Sequence, residues 1–490
     1  MLIVYHQVVI QKIINKKTSL KIQKIQKMNY QSIVVKSSYT GSNITWYAGL
    51  NTIAKYIHPV KLVSDLAKLF NGVNRQNIVQ AISSSFHTIW YNTTKFGINQ
   101  ILMAITLSSI SGISRICKIA AFSGDGLVKA LLKLDKAINE NTISATLKNL
   151  GQSGARKLQM LLLSKNARWL HESGMENITL DADSPRKISL RLSKAILRGE
   201  TVKSVCGNQE GAEKGFNTTK KGAKSYHPLL VFVSEMKLLY HTWFRTGSAY
   251  TANGIVDFLK EVKASLPKNI AKVFFRADSG FFSGGLFDLL ESFNWDYLVK
   301  VKLKNLGKLL QLQTWLEIKG EKDVAICEFI YTAKGWSKPR MLKAMRSVKE
   351  YVHVSYLGQK QIVPVYQYVC YASGYEMTAI ELHELYKQRS TSETWIEQVK
   401  GHTMAGSTLT DDFWANDILW QLSVLAYNIS VMMRQKKNKF KQQEHCSFID
   451  WFIAVPAKIT ISGHQIELKM YEHHFYKDAW EELDRLIEAA

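Results

Sequence analysis

Cysteine is scarce and scattered. Cys117, Cys206, Cys327, Cys370 and Cys446 are odd in number and form no CxxC pair. That spacing argues against a disulfide framework and against a zinc site, and it points to a reducing cytosol. Long apolar runs are also lacking: "INQILMAITLSSISGISRI" from Ile98 and "ILWQLSVLAYNISVMM" from Ile418 are short or diluted by Ser, Gly, Asn and Gln, whereas a membrane span needs about 20 mostly apolar residues. The N-terminus, "MLIVYHQVVIQKIINKKTSLKIQKIQK", carries its apolar residues first and its lysines after them. This is the reverse of a secretory signal, so no export is expected. Acidic residues are in deficit, with 40 Asp and Glu against 64 Lys and Arg, leaving a net charge of +24 over 490 residues. A surface so basic attracts polyanions, with DNA or RNA the first candidates and an anionic membrane surface the competitor. The 46% hydrophobic content is that of a folded chain.

The pattern changes along the chain. Residues 1–42 are rich in Lys, Ile and Gln, with a "KIQKIQK" near-repeat and an internal Met28, and read either as a basic arm or as sequence upstream of the natural start. Residues 43–172 have apolar residues at three- and four-residue spacing, which predicts a helical domain. A helix-turn-helix DNA reader and a plain bundle are both compatible with it. From 173 to 302, "NITLDAD", "HPLLVFVSEM", "AKVFFRAD" and "WDYLVKVK" read as strands, and "SAYTANGIVDFLKEVKASL" and "GGLFDLLESF" as helices between them. The mixture predicts an α/β core. Residues 303–382 are strand-like throughout, with no convincing helix, and read as a β-rich insertion. Helices return over 383–436, and 437–490 form a C-terminal tail region.

Two predicted strands end in carboxylates. Asp181 and Asp183 close "NITLDAD" on one face, and Asp278 follows "AKVFFRA". Strand ends are where α/β folds commonly place their chemistry. Further on, "YKQRSTSETWIEQVK" places Tyr386, Arg389, Glu393, Glu397 and Lys400 within a helical stripe about 80° wide, while Trp395 and Val399, with Ile396 at the edge, point the other way. A third acid from this helix would complete a cage of hard oxygens suited to Mg²⁺ or Mn²⁺ and to phosphoryl transfer. Each element has a plainer reading as well: strand-end Asp residues often cap turns, and charged helix faces are often merely solvated with i to i+4 pairs. Composition and spacing therefore stop at a metal-dependent enzyme acting on nucleic acid.

The spacing Tyr386, Arg389, Glu393, Lys400 is Y-x2-R-x3-E-x6-K, which resembles the signature of bacterial insertion-sequence DDE transposases. "LDADS", "GNQEGAEKGFNTTKKGAKSYHPLL", "RADSGFF" and "FWANDILWQLSVLAYN" occur in the order of the corresponding blocks of one branch of that group. The resemblance spans about Asn43 to Ile429 and is strongest from Asp181 to Lys400. It implies a ribonuclease H-like core preceded by a helical N-terminal domain and interrupted by a β-rich insertion between the second and third acids. It further implies Asp183, Asp278 and Glu393 as catalytic, metal-binding acids, with Asp181 the alternative to Asp183. Pro185 stands where Thr is usual, a departure that questions the first acid or marks a decayed copy.

By the same resemblance, Tyr386, Arg389 and Lys400 hold DNA phosphates beside Glu393, and Glu397, outside the signature, pairs with Arg or Lys. The activity implied is Mg²⁺-dependent cleavage at terminal inverted repeats and strand transfer to target DNA, with two ions, Mn²⁺ able to substitute, a homodimer as the active form and the bacterial cytoplasm as its place. A nuclease without strand transfer and a decayed DNA-binding remnant are the alternatives. The "GNQ" block reads as a DNA-backbone loop or a solvated hairpin, and His227 as structural. Trp315 and Trp336 read as core residues or as stacking platforms for a displaced base, and Asn416, Tyr427 and Asn428 as positions on a core helix.

Overall fold

Helical spacing yields helices in the N-terminal half. The computed structural model describes residues 43–70, 96–184, 209–214, 224–250, 252–318, 323–356, 359–407, 410–462 and 465–489. The expected basic arm at 1–42, with Met28, Pro185 and Cys206, lies outside them, and residues 43–490 form a unit of their own. The first helices are α1 (Leu50–Ile57), α2 (Leu62–Phe70), α3 (Ile98–Ile110), α4 (Ile116–Ser123), α5 (Gly126–Leu132) and α6 (Glu140–Glu172). Asp125 caps α5 by accepting from the Leu127 and Val128 amides, and Asn139 caps α6 by accepting from the Asn141 amide. Gly151 interrupts α6 at φ +49°, in a conformation that only glycine adopts without strain. No described helix is long and apolar enough to cross a membrane.

The sheet begins with β1 (Asn177–Asp183), followed by β2 (Leu229–Val233), β3 (Leu238–Trp243), α7 (Ile255–Ser265), β4 (Lys272–Ala277), α8 (Gly284–Ser292) and β5 (Asp296–Lys300). The insertion supplies α9 (Leu306–Gln311), the edge strand β6 (Leu316–Glu317), β7 (Val324–Tyr331), β8 (Arg340–Tyr356) and β9 (Gln359–Ser373). These nine strands form one sheet in the order β3-β2-β1-β4-β5-β9-β8-β7-β6. β1, β4 and β5 are parallel, while β2 runs antiparallel beside β1 and β3 antiparallel beside β2. That 3-2-1-4-5 arrangement is the ribonuclease H-like core that was expected.

Three details differ from the sequence reading. β3 was not anticipated. The insertion contains α9, and its strands continue the core sheet, β9 pairing with β5 at Tyr371↔Lys300 and Ser373↔Leu298. β1 is central and covered on both faces, not half-buried, since Asp181 is as buried as Leu180 and Ala182.

Beyond the sheet come α10 (Ala379–Lys387), α11 (Ser390–His402), α12 (Phe413–Arg434), the short α13 (His445–Phe448), the hairpin β10 (Ala457–Ser462) and β11 (Gln465–Met470), and α14 (Lys477–Glu488). The tail returns to the N-terminal helices: β10 pairs with a two-residue strand at Ile44–Thr45, and Lys55 on α1 meets Asp484 on α14 at 2.8 Å. As expected, α12 is a core helix, with Asn416, Tyr427 and Asn428 buried. The Asn428 amide is fully used. It donates to Asn166 Oδ1 on α6 (3.0 Å) and to the Leu239 carbonyl on β3 (2.8 Å), and accepts from the Leu239 amide (3.1 Å).

Asn428→Ala strands the Leu239 amide and one Asn166 acceptor in the core, so unfolding should become easier by about 1–3 kcal/mol. A urea-denaturation midpoint lowered by that free energy divided by the unchanged slope is the check.

Candidate active site

β1 and β4 are parallel neighbours, with Asp181 opposite Arg276 and Ala182 opposite Ala277. Asp183, closing β1, and Asp278, following β4, therefore emerge at the same end of the sheet. Asp278 also caps the turn after its strand, its Oδ1 accepting from the Gly280 amide at 2.9 Å. Its Oδ2 makes no hydrogen bond among the described residues. Burial pushes the Asp278 carboxyl up, and the nearby charge of Asp183 pushes it further, against Arg389, the Gly280 amide and Lys302. Asp183 accepts from the Ser184 amide on Oδ1 (2.6 Å) and from Arg389 Nη2 on Oδ2 (2.9 Å).

Asp181 is wholly buried and fully engaged. Arg276 grips it with both arms of its guanidinium, Nε to Oδ1 at 2.7 Å and Nη2 to Oδ2 at 2.8 Å. The same Arg276 donates from Nη1 to the Leu385 carbonyl at 2.8 Å, so it also holds the end of α10. Arg276 escaped the sequence reading. Strand alternation puts it on the face of Asp278, but only the β1–β4 register sets it beside Asp181.

The segment Tyr386–Lys400 is two helices, not the single helix its stripe predicts. α10 and α11 meet at Gln388–Arg389, where Ser390, Thr391 and Ser392 each donate a hydroxyl to the carbonyl three residues back, at 2.8 Å. Such side-chain bonds compete with the helical ladder. Arg389, at the joint, is buried and aims at the acids: Nη2 meets Asp183 and the Ala182 carbonyl (3.3 Å), and Nη1 lies 3.8 Å from Glu393 Oε1. Its Nε is buried without a hydrogen-bond partner among the described residues. Burial works against the Arg389 charge, but Asp183, Tyr386 and Asp278 outweigh it and raise the pKa. The Tyr386 ring packs on Tyr371 at 5.1 Å with Lys300 Nζ 5.9 Å from it, and burial raises its hydroxyl. Lys400 is brought down to about 8 by burial, with Asp183 and Glu397 pulling the other way.

Glu393 stands apart: its side chain is 69% exposed. The oxygens of Asp183, Asp278 and Glu393 do not all come within 4.8 Å of one another. The structure thus joins Asp183, Asp278, Arg389 and Lys400, and leaves Glu393 at the rim beside the equally exposed Glu397. Trp395, Ile396 and Val399 are buried on the opposite side of α11, as the stripe requires. A hard divalent cation fits the acid pair by the chemistry of its donors, because two carboxylates share a poorly solvated strand end and Asp278 keeps one oxygen without a hydrogen bond among the described residues.

Elsewhere, His227 is buried and its Nδ1 lies 2.5 Å from the Ala249 carbonyl. The described flanks of the "GNQ" block pair antiparallel, Glu213 with Ser225, as a hairpin does. Trp336 packs among Phe282, Phe287 and Tyr331, and Trp315 against Arg346.

The family profile described as transposase DDE domain group 1 matches residues 27–490. It therefore covers the C-terminal tail, which the sequence reading had left outside the resemblance. No curated protein sequence matches. Among solved structures, the chain is similar to the piggyBac transposase in a cryo-EM synaptic complex with hairpin DNA, at 12% identity and TM-score 0.45 over 84% of this chain and 81% of that one. It is also similar to the Mos1 protein of a pre-cleavage transpososome, at 11% identity and TM-score 0.16 over 51% and 77%.

Asp181→Asn should destabilise the fold by about 3–5 kcal/mol, since it leaves the buried Arg276 without its anion. Asp278→Asn should leave the melting temperature unchanged or raise it, because it removes a carboxylate whose charged form the site disfavours. Because folding raises the Asp278 pKa, that gain should grow as pH rises above the ordinary carboxyl range and level off above the raised pKa, which thermal melts across the acid range will show.

Proposed function

The chain belongs to the transposase DDE domain group 1 family, and from that premise we propose that it cuts DNA at the terminal inverted repeats of its own insertion sequence and joins the freed 3′ hydroxyl to target DNA. The observation that carries this reading is the pairing of Asp183 and Asp278 at adjacent parallel strand ends, with Arg389 from the α10–α11 joint and Lys400 from α11 acting on them. Asp183, Asp278 and Glu393 would hold Mg²⁺, two ions in the full site, and Mn²⁺ would fit the same oxygens. Metal bound there supplies Lewis-acid stabilisation of the attacking and leaving oxygens. We assign the first acid to Asp183, because Asp181 has both oxygens in the Arg276 fork. Glu393, exposed on α11, is free to swing toward the pair.

In this reading Arg389 is a positioning residue. It holds Asp183 in place, and its burial leaves phosphate contact to Lys400, with the ring of Tyr386 lining the approach. The net charge of +24 draws the duplex in, residues 43–172 contribute DNA contacts, and joining two ends calls for two copies of the chain. The Ser184 hydroxyl, which accepts from Arg245 Nη2 at 2.7 Å and donates to the Pro228 carbonyl at 3.0 Å, braces the residue next to the first acid.

The deciding assay uses a labelled duplex carrying the gene's own flanking ends, with Mg²⁺ and a target plasmid. Glu393→Gln should lower cleavage by about 10³-fold, the loss of several kcal/mol of transition-state stabilisation, and Glu397→Gln should keep it. Cut but unjoined ends would favour a nuclease without strand transfer. Tight end binding with no cutting by the wild type would overturn the catalytic reading. End binding should also weaken as pH rises through about 8, as Lys400 loses its proton. Lys400→Arg, whose charge is fixed, should remove that dependence in a binding titration.

A further inference from the structure

The far end of α11 holds a second cluster. His402 closes the helix, Glu444 precedes α13 and Cys446 lies within it, and the ligating atoms of all three lie within 4.8 Å of one another. Cys446 Sγ sits 3.7 Å from Glu444 Oε2. We propose that these three residues bind Zn²⁺, and that the ion fastens the end of the helix bearing Glu393 and Lys400 to the C-terminal segment.

The donor set selects the metal. One sulfur, one imidazole nitrogen and one carboxylate oxygen suit zinc, whereas Mg²⁺ prefers oxygen alone. At bond lengths of about 2.0–2.3 Å a tetrahedral ion needs its ligand atoms roughly 3.5 Å apart, so small side-chain rotations close the site. Burial lowers the pKa of His402, which keeps its ring in the neutral form that coordinates. The carbonyl end of α11 also favours a cation. Charge balance calls for both anionic ligands, because the Arg434 guanidinium already interacts with Glu444 and Cys446. A thiolate and a carboxylate together neutralise the ion, leaving its fourth position to water.

A second observation stands beside the cluster. His445 is 0% exposed, its Nδ1 lies 2.8 Å from Ser430 Oγ, and its Nε2 is buried without a hydrogen-bond partner among the described residues. Its ring centroid is 6.3 Å from that of His402. A buried imidazole with an unmet nitrogen, next to three ligating groups, marks this region as polar beyond what packing requires. The cluster has no zinc-finger spacing, because His402 is brought in from a different helix.

Full-length protein stripped with chelator and titrated with Co²⁺ tests the site, since a thiolate ligand gives Co²⁺ a charge-transfer band that the oxygen-only Asp183 and Asp278 cannot produce. One equivalent of Co²⁺ should produce the band, Zn²⁺ should displace it, and Cys446→Ser should abolish it. His402→Gln should weaken Zn²⁺ binding by at least about tenfold, the loss that follows even removal of an outer partner of a metal ligand. On the unaltered protein, Zn²⁺ should protect Cys446 from alkylation and leave the exposed Cys117 reactive. A band that survives Cys446→Ser, or equal alkylation of both cysteines with and without Zn²⁺, would overturn the proposal.

Discussion

The buried pair of Asp181 and Arg276 is the constraint from which the active end of the sheet is built. Two charges taken out of water carry a large desolvation cost, which only close geometry and further hydrogen bonds offset. Both conditions hold: the guanidinium fork meets both carboxylate oxygens, and its remaining arm reaches the Leu385 carbonyl. The pair therefore fixes two relations at once. It locks β1 beside β4 in the register that puts Asp183 and Asp278 at one rim, and it ties that rim to the end of α10, from which Arg389 and α11 start.

Given that frame, the site is organised around two carboxylates held close together. Asp183 and Asp278 share a poorly solvated strand end, and the Asp278 carboxyl is pushed up as a result. Arg389, itself buried, answers part of that charge through its hydrogen bond to Asp183. Lys400, held near 8, is the softer cation of the two. A site that disfavours its own ionised carboxylate is less stable than a neutral one and readier to take a divalent ion. Membership of a DDE transposase family and this arrangement of groups point the same way.

Much of this was legible in the chain. Periodicity marked the helical stretch of residues 43–172 and the helix α12, alternation marked β1, and the spacing from Tyr386 to Lys400 marked the helical segment that packs on the acids. β3 was missed because "LLVFVSEMKLLYHTW" reverses direction through Ser234–Met236 and Lys237, the last at φ +56°. A lysine in a left-handed conformation gives none of the Gly, Pro or Asn signals that announce a turn. The break at Arg389 was missed for a similar reason: helical spacing does not register three successive hydroxyls bonding to carbonyls. The insertion was legible as β-rich, but not as an extension of the core sheet, because strand order depends on pairings far apart in sequence.

By itself the sequence determined most of the element types, the positive charge, the carboxylates at strand ends and the family resemblance, since all of these rest on residue identity and short-range spacing. Only the tertiary structure decided what each charged group is for. Asp181 and Asp183 are indistinguishable by alternation, yet one is locked by an arginine from the neighbouring strand and the other reaches the rim. His402, Glu444 and Cys446 carry no spacing that links them, yet they meet. Register and helix packing set such distances, and both are fixed by burying apolar side chains across the whole fold, which no local stretch of sequence encodes.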